Sequence, residues 1–294
     1  MPELPEVETV MRGLKPVLEG RKIAQVALRR DGLRFPFPEA FAQRLSGRRI
    51  TAIWRRAKYI LAALDSGELL LVHLGMTGRF SVFSSNRSRN LGNFYLGHAS
   101  AETGNGLHDH VMMILEDETR VVYTDPRRFG MMDVFAETSA GSHKLLRGLG
   151  VEPLGNSFDV DYLAERFRGK TAPLKAALLD QRIIAGLGNI YVCEALYRAG
   201  LSPRRKSGTL VRTRTFDQRL SELVRHIRDV LEEAIMAGGS SLQDFAHTDG
   251  ASGTFQQRFQ VYDREGEPCF GCKRPIKRLV QSGRSTFYCR HCQT

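Results

Sequence analysis

Four of the five cysteines in this 294-residue chain fall within its last 26 residues, as Cys269-x2-Cys272, sixteen intervening residues, and Cys289-x2-Cys292. Two Cys-x2-Cys pairs at this separation have the spacing of a four-thiolate zinc site. In a reducing compartment such thiols hold metal rather than pair as disulfides. With all four coordination positions supplied by protein, the ion has no open site, and its role is structural. The C-terminal stretch is therefore expected to fold as a small module around one zinc ion. The remaining Cys193 lies in an apolar helical stretch and reads as an inert buried thiol.

The other end of the chain carries a second constraint. It begins Met1-Pro2-Glu3-Leu4-Pro5-Glu6. Initiator methionine is normally trimmed before a small residue, which would make Pro2 the mature N-terminus and expose a secondary amine. An α-amine has a pKa near ~8, so roughly a tenth of it is neutral and nucleophilic at pH 7. Condensation with an aldehydic carbon forms a Schiff base. Because this amine is secondary, the product is a permanently charged iminium. Glu3 and Glu6 place candidate acids beside the candidate nucleophile. The same residues also suit a plain helix start, with Pro in the first turn and Glu near the positive end of the dipole.

The chain has 43 Lys and Arg against 32 Asp and Glu, a net charge of +11. That surplus favours a polyanionic partner, most often nucleic acid. No apolar run is long enough to span a membrane. The N-terminus lacks a basic segment followed by an apolar one, so a cytoplasmic protein is expected.

Residues 3–18 read as a helix, with Leu4, Val7, Val10, Met11, Leu14, Val17 and Leu18 on one face. Short strands are expected at Lys22–Arg29, Ile50–Trp54, Tyr59–Ala63, Leu69–His73, Met112–Glu116, Val121–Thr124 and Met131–Phe135. Many short strands in one region suggest a sandwich or barrel. The Ser/Asn/Gly-rich stretch 84–107 reads as a long surface loop. From about Ser142 helices dominate, ending in a regular apolar stripe from Leu220 to Ile235 closed by Gly238-Gly239. Three domains are expected: 1–142, a β-sandwich with flanking helices; 143–259, helical; and 260–294, the zinc module. The fold class is multidomain α+β.

Within the helical part, a helix over Leu174–Gln181 is followed by Gly186-Leu187-Gly188-Asn189 and a second helix over Ile190–Ala199. Glycines at a helix N-terminus let backbone N–H groups approach an anion, and Asn189 adds a side-chain donor. A tight turn between packed helices has the same signature. In the first domain, Lys58 starts a strand, and Met76 sits between two glycines in His73-Leu74-Gly75-Met76-Thr77-Gly78. Asp125-Pro126-Arg127-Arg128-Phe129-Gly130 puts two arginines and an aromatic on a turn. Apolar loop residues beside arginines resemble the wedges that enter a base stack. Taken singly, each also reads as an ordinary loop residue.

Taken together, PELPEVETV, RRAKY, HLGMTG, HDHV, TDPRRFG, GLGNIYVCEALYRAGLSP, the 241–262 segment and CFGC…GRSTFYCRHCQ resemble bacterial formamidopyrimidine-DNA glycosylase. The likeness covers nearly the whole chain in order. It implies a β-sandwich, a helix-two-turns-helix domain and a zinc hairpin. It also implies a monomer acting on double-stranded damaged DNA, excising oxidised purines and then cutting the abasic strand, with no organic cofactor. By that resemblance Pro2 attacks the sugar C1′, Glu3 donates a proton and Glu6 supports it. Lys58 contacts phosphate and assists the first elimination. Arg284 grips phosphate and serves the second, and Asn189 holds phosphates around the lesion. Met76, Arg127 and Phe129 fill the gap left by the flipped base, while His108 and Lys170 are further DNA contacts. His108-Asp109-His110 could suggest a metal site, and the resemblance argues against it. The long 84–107 stretch departs from shorter members, and the segment from about Gln243 to Gln257 matches the region that covers the flipped base.

Two other readings remain at this level. An endonuclease VIII-type glycosylase shares Pro2, Glu3, the helical motif and the zinc hairpin but prefers oxidised pyrimidines. A non-catalytic zinc protein that only binds DNA would leave Pro2 unexplained.

Overall fold

The computed structural model describes residues 1–84, 87–91, 106–211, 217–240 and 253–294. Contacts divide them into two compact units, Met1–Arg147 with Ala237–Thr254, and Gly148–Met236 with Phe255–Thr294.

The first unit opens with helix α1 (Leu4–Leu18) and holds a second, short helix α2 (Phe41–Leu45). Its strands are β1 (Ile23–Leu28), β2 (Ile50–Arg56), β3 (Tyr59–Leu64), β4 (Glu68–His73), β5 (Arg79–Ser84), β6 (Arg87–Leu91), β7 (Asp109–Leu115), β8 (Arg120–Thr124) and β9 (Met131–Ala136). They form one sheet of order β1-β7-β8-β5-β6 and another of order β2-β3-β4-β9, with every pairing antiparallel. One apolar core draws on both sheets and on α1: Val7, Val10 and Leu14 join Ile53, Ile60 and Val72 from one sheet and Phe80, Val111 and Tyr123 from the other. Alternating or continuous apolar strands buried between two layers explain why the sequence reads as a sandwich.

Three features depart from the sequence reading, the first being strand β5 (Arg79–Ser84), which is not among the expected strands. The 84–107 stretch is not loop throughout, because Arg87–Leu91 pairs with β5 as an edge strand. Ser, Asn and Arg tolerate an edge position without supplying the apolar alternation that marks a strand in sequence. Residues 92–105, the rest of that expected loop, lie outside the described residues, as do residues 243–252 of the expected covering segment. Helix α2 has five residues, too few to show a helical period.

The second unit contains α3 (Val160–Phe167), α4 (Leu174–Leu179), α5 (Asn189–Arg198), α6 (Gln218–Met236) and the hairpin β10 (Lys277–Gln281) with β11 (Arg284–Tyr288). The side chain of Asp159 caps α3 by accepting from Tyr162 N at 2.7 Å. Leu220, Leu223, Val224, Ile227, Val230, Leu231 and Ala234 form the buried face of α6. Among the described residues, no helix is long and apolar enough to cross a membrane.

Candidate active site and nucleic-acid interface

In the first unit, Glu3 is the N-cap of α1. Its backbone N–H donates to Glu6 Oε2 at 2.9 Å, half of a reciprocal capping box. Pro2, Glu3 and Glu6 are all buried. The other oxygen of Glu6 accepts from both the amide and the hydroxyl of Ser240, at 2.8 and 3.0 Å. Thus one carboxylate fastens the first residues of the chain to a segment more than two hundred positions away. Gly239 makes this possible: its φ is +87°, and a Cβ there would lie 3.0 Å from Glu6 Oε1.

Lys58 follows Ala57 in the turn between β2 and β3, and Ala57 adopts a φ of +52°. Arg55 holds this turn. Its guanidinium donates to the Ala57 carbonyl at 2.9 Å and to Glu8 Oε2 of α1 at 2.8 Å. Lys58 is only 8% exposed, an uncommon environment for a lysine. Across the ladder from Tyr59 stands His73. Its Nδ1 accepts from Gly75 N at 3.1 Å, which leaves Nε2 as the protonated donor. Burial, then the charges of Lys58 and Arg34, pull its pKa from 6.5 down to about 4. His73 heads a motif noted in the sequence but was not singled out there. The signal that could have found it is its register opposite Tyr59, the residue after Lys58.

The two loops bearing Met76, Arg127 and Phe129 pack against each other. A Cβ on Gly75, whose φ is +66°, would come within 2.3 Å of the Phe129 backbone. The fully buried carboxylate of Asp125 accepts from Thr77 Oγ1 at 2.5 Å and from Gly130 N at 2.7 Å. Thr77 Oγ1 in turn accepts from Arg127 N at 3.2 Å. This network leaves Phe129 42% exposed with the Arg127 guanidinium 4.8 Å from its ring centre. His108 is exposed, and its carbonyl accepts from Asp125 N. His110 is buried and donates from Nε2 to the Asp125 carbonyl at 2.9 Å, a structural bond.

In the second unit the Gln181 side chain closes the turn before α5, accepting from Gly186 N at 2.8 Å and donating to the Leu187 carbonyl at 2.9 Å. Asn189, the first residue of α5, is 8% exposed and donates from Nδ2 to the Ser285 carbonyl at 3.0 Å. Its Oδ1 is buried with no hydrogen-bond partner among the described residues. The fully buried Lys175 of α4 donates to that same carbonyl at 2.9 Å and to Thr286 Oγ1 at 2.6 Å. Two helices therefore grip the hairpin strand next to Arg284, which is exposed at the β10–β11 turn. Lys170 is exposed on the loop before α4. Neither Lys175 nor Gln181 stood out in the sequence, because their partners are set by the fold.

The Sγ atoms of Cys269, Cys272, Cys289 and Cys292 all lie within 4.8 Å of one another. The Cys269–Cys292 pair is 3.8 Å apart and the Cys272–Cys289 pair 3.4 Å. A tetrahedral ion with sulfur at ~2.3 Å needs S···S distances of about 3.8 Å, so the four thiols fit one structural zinc. Among the described residues no other group of His, Cys, Asp or Glu is gathered in this way. Glu194 of α5 accepts from the amides of Gln260, Val261 and Tyr262, anchoring the turn that leads into the module.

Comparison with known proteins agrees with this architecture. Residues 1–132 match the formamidopyrimidine-DNA glycosylase N-terminal domain, 149–246 the formamidopyrimidine-DNA glycosylase H2TH domain, and 266–294 a zinc finger found in FPG and IleRS. The formamidopyrimidine-DNA glycosylase of Beijerinckia indica is 56% identical over 297 residues, covering all of both chains. That of Ruegeria pomeroyi is 54% identical over 295 residues, again covering all of both. Among solved structures, the MutM (Fpg) protein of Thermus thermophilus is 39% identical with a TM-score of 0.81, covering 99% of this chain and 98% of that one. Lactococcus lactis Fpg in complex with abasic-site DNA is 30% identical with a TM-score of 0.83, covering all of both chains. A buried Pro2–Glu3–Glu6 start, two interlocked loops bearing Met76, Arg127 and Phe129, and a four-thiol hairpin thus accompany likeness along the full chain, which belongs to the formamidopyrimidine-DNA glycosylase family.

Proposed function

We propose that the protein is a base-excision DNA repair enzyme, a bifunctional glycosylase and AP lyase that removes oxidised purines from double-stranded DNA. Supporting this reading above all is the burial of Pro2, Glu3 and Glu6 at the head of α1, in a chain similar along its whole length to named glycosylases. The relatives' DNA complexes include one with an abasic site.

In this reading the Pro2 amine attacks C1′ of the damaged nucleotide. The bond from C1′ to the base breaks, and the C1′–O4′ bond then opens as Glu3 gives a proton to O4′ and the amine loses its own, leaving a C1′=N iminium. The resulting iminium withdraws electrons, so the C2′ proton is lost and the 3′ phosphate leaves. A second elimination releases the 5′ phosphate. Glu6, engaged by Glu3 N and Ser240, holds the nucleophile's segment in place. Lys58, with the fixed donor of neutral His73 beside it, suits a phosphate oxygen. Asn189 and Arg284 are assigned to phosphate, with Arg284 serving the second elimination. Met76, Arg127 and Phe129 are assigned to the gap left by the flipped base, and His108 and Lys170 to further DNA contacts. Zinc fixes the hairpin that carries Arg284. Catalysis is assigned to 1–142, duplex binding to 143–259 and the hairpin role to 260–294. The protein works as a monomer in the bacterial cytoplasm.

The test is excision from matched duplexes carrying 8-oxoguanine or thymine glycol. Preference for 8-oxoguanine is expected. Preference for thymine glycol would move the protein to the endonuclease VIII type, and cleavage of neither would remove the catalytic reading.

A further inference from the structure

The loop over residues 31–37 is built to present one aromatic ring. It is closed by an antiparallel bridge between Gly32 and Pro36, by Leu33 N donating to the Phe35 carbonyl at 3.0 Å, and by Phe37 N donating to the Asp31 carbonyl at 2.8 Å. A Cβ on Gly32 would sit 2.5 Å from the Phe35 carbonyl oxygen, so the turn is tight. Its base is anchored: Leu33 and Phe37 pack against the core, and the Phe37 ring stacks on Phe41 of α2 at 4.8 Å. On this fixed support Phe35 is 56% exposed. Leaving a phenylalanine in water on a rigid turn gains nothing for folding.

The loop also adjoins the wedge loops. Arg34 N donates to the Gly130 carbonyl at 3.1 Å, directly after Phe129. Each loop carries an arginine over an exposed ring: Arg34 lies 5.6 Å from the centre of Phe35, and Arg127 lies 4.8 Å from that of Phe129. Arg34 is also among the charges that act on His73, which places it on the Lys58 side of the unit.

We propose that this loop is a further DNA contact, in which Phe35 stacks against a nucleotide flanking the damaged one and Arg34 takes a phosphate. The proposal rests on the reading of the protein as a DNA glycosylase. Charge selects the occupant. Arg34 lies over the ring and Arg30 is exposed at the start of the same loop, in a chain of net charge +11. A second copy seated on Phe35 would bring these arginines together, whereas a polyanion with π-faces satisfies both the ring and the charge.

The experiment measures binding to a duplex with a tetrahydrofuran abasic analogue by fluorescence anisotropy, for the unmodified protein, Phe35→Ala and Phe35→Trp. Thermal midpoints verify folding. Phe35→Ala should weaken binding roughly fivefold to a hundredfold, the range for loss of one base–aromatic stack, while Phe35→Trp stays close to the unmodified protein. In parallel, benzoylphenylalanine placed at position 35 should photo-cross-link to a DNA strand. If the unmodified protein binds but Phe35→Ala binds equally well, the contact is refuted and the glycosylase reading stands. Cross-linking only to a second protein copy would also refute it. Failure of the unmodified protein to bind would overturn both.

Discussion

Thr77 and Asp125 share a 2.5 Å hydrogen bond that joins the Met76 loop to the Phe129 loop. Asp125 is fully buried and also holds Gly130 N, so the carboxylate sets the position of both loops at once. Thr77→Val keeps the shape and removes the hydroxyl, leaving the buried carboxylate short of a donor and Arg127 N short of an acceptor. Stability should fall by about 1–3 kcal/mol. Excision should slow more than duplex binding weakens, as checked by urea unfolding and single-turnover kinetics.

The histidine beside Lys58 gives the molecule a pH signature. Well above pH 6.5 His73 is neutral both folded and unfolded and contributes no pH dependence. As pH falls from 6.5 toward about 4, the unfolded imidazole binds a proton that the folded one refuses, so folding stability declines with acidification. The slope from this group is at most about 1.4 kcal/mol per pH unit and levels off once the folded ring also titrates. Proton NMR of the ring should show no titration above pH 5. His73→Gln should flatten the stability profile between pH 6.5 and 4.

Zinc is expected to act on the hairpin alone. Cys272→Ser should lose one metal equivalent and weaken duplex binding, because Arg284 and the strand held by Lys175 and Asn189 lose their frame. The β-sandwich should stay folded, as read by its tertiary circular dichroism. Well-folded, active enzyme without bound zinc would contradict this role.

Arg127, proposed to fill the gap left by the flipped base, is expected to bear on the choice of opposite base. A guanidinium in the space left by the flipped lesion can donate to the O2 and N3 acceptors of cytosine, whereas the edge of adenine mixes a donor with an acceptor. Excision of 8-oxoguanine should therefore favour cytosine over adenine opposite it, by roughly tenfold, from a contact of ~1–3 kcal/mol. Arg127→Ala should level this preference and Arg128→Ala should change it less. Equal rates opposite the two bases in the unmodified protein would remove the assignment.

The segments to which chemistry is assigned stood out because their signals are local in sequence. The cysteine spacing, the apolar face of α1 and the glycines flanking Asn189 and Met76 all read within a few residues. What escaped were the partners that fix them. Glu6 meets Ser240, Lys175 meets Thr286 and Thr77 meets Asp125 across separations of 234, 111 and 48 positions, and no period or spacing announces such pairs. His73 looked like the end of an apolar strand until its register opposite Tyr59 was known. Strand β6 was hidden because an edge strand of Arg, Ser and Asn lacks the alternation by which strands are recognised.

With the N-terminal secondary amine proposed as the nucleophile, covalent trapping reports on the bond it forms. The protein is mixed with an 8-oxoguanine duplex, reduced with sodium borohydride, digested, and the modified peptide sequenced by mass spectrometry. One DNA adduct per protein is expected, on the nitrogen of Pro2, in chains from which Met1 has been removed, and no adduct in a preparation with an N-terminal extension. An adduct on Lys58 or another lysine, or normal excision by the extended protein, would contradict the proposal.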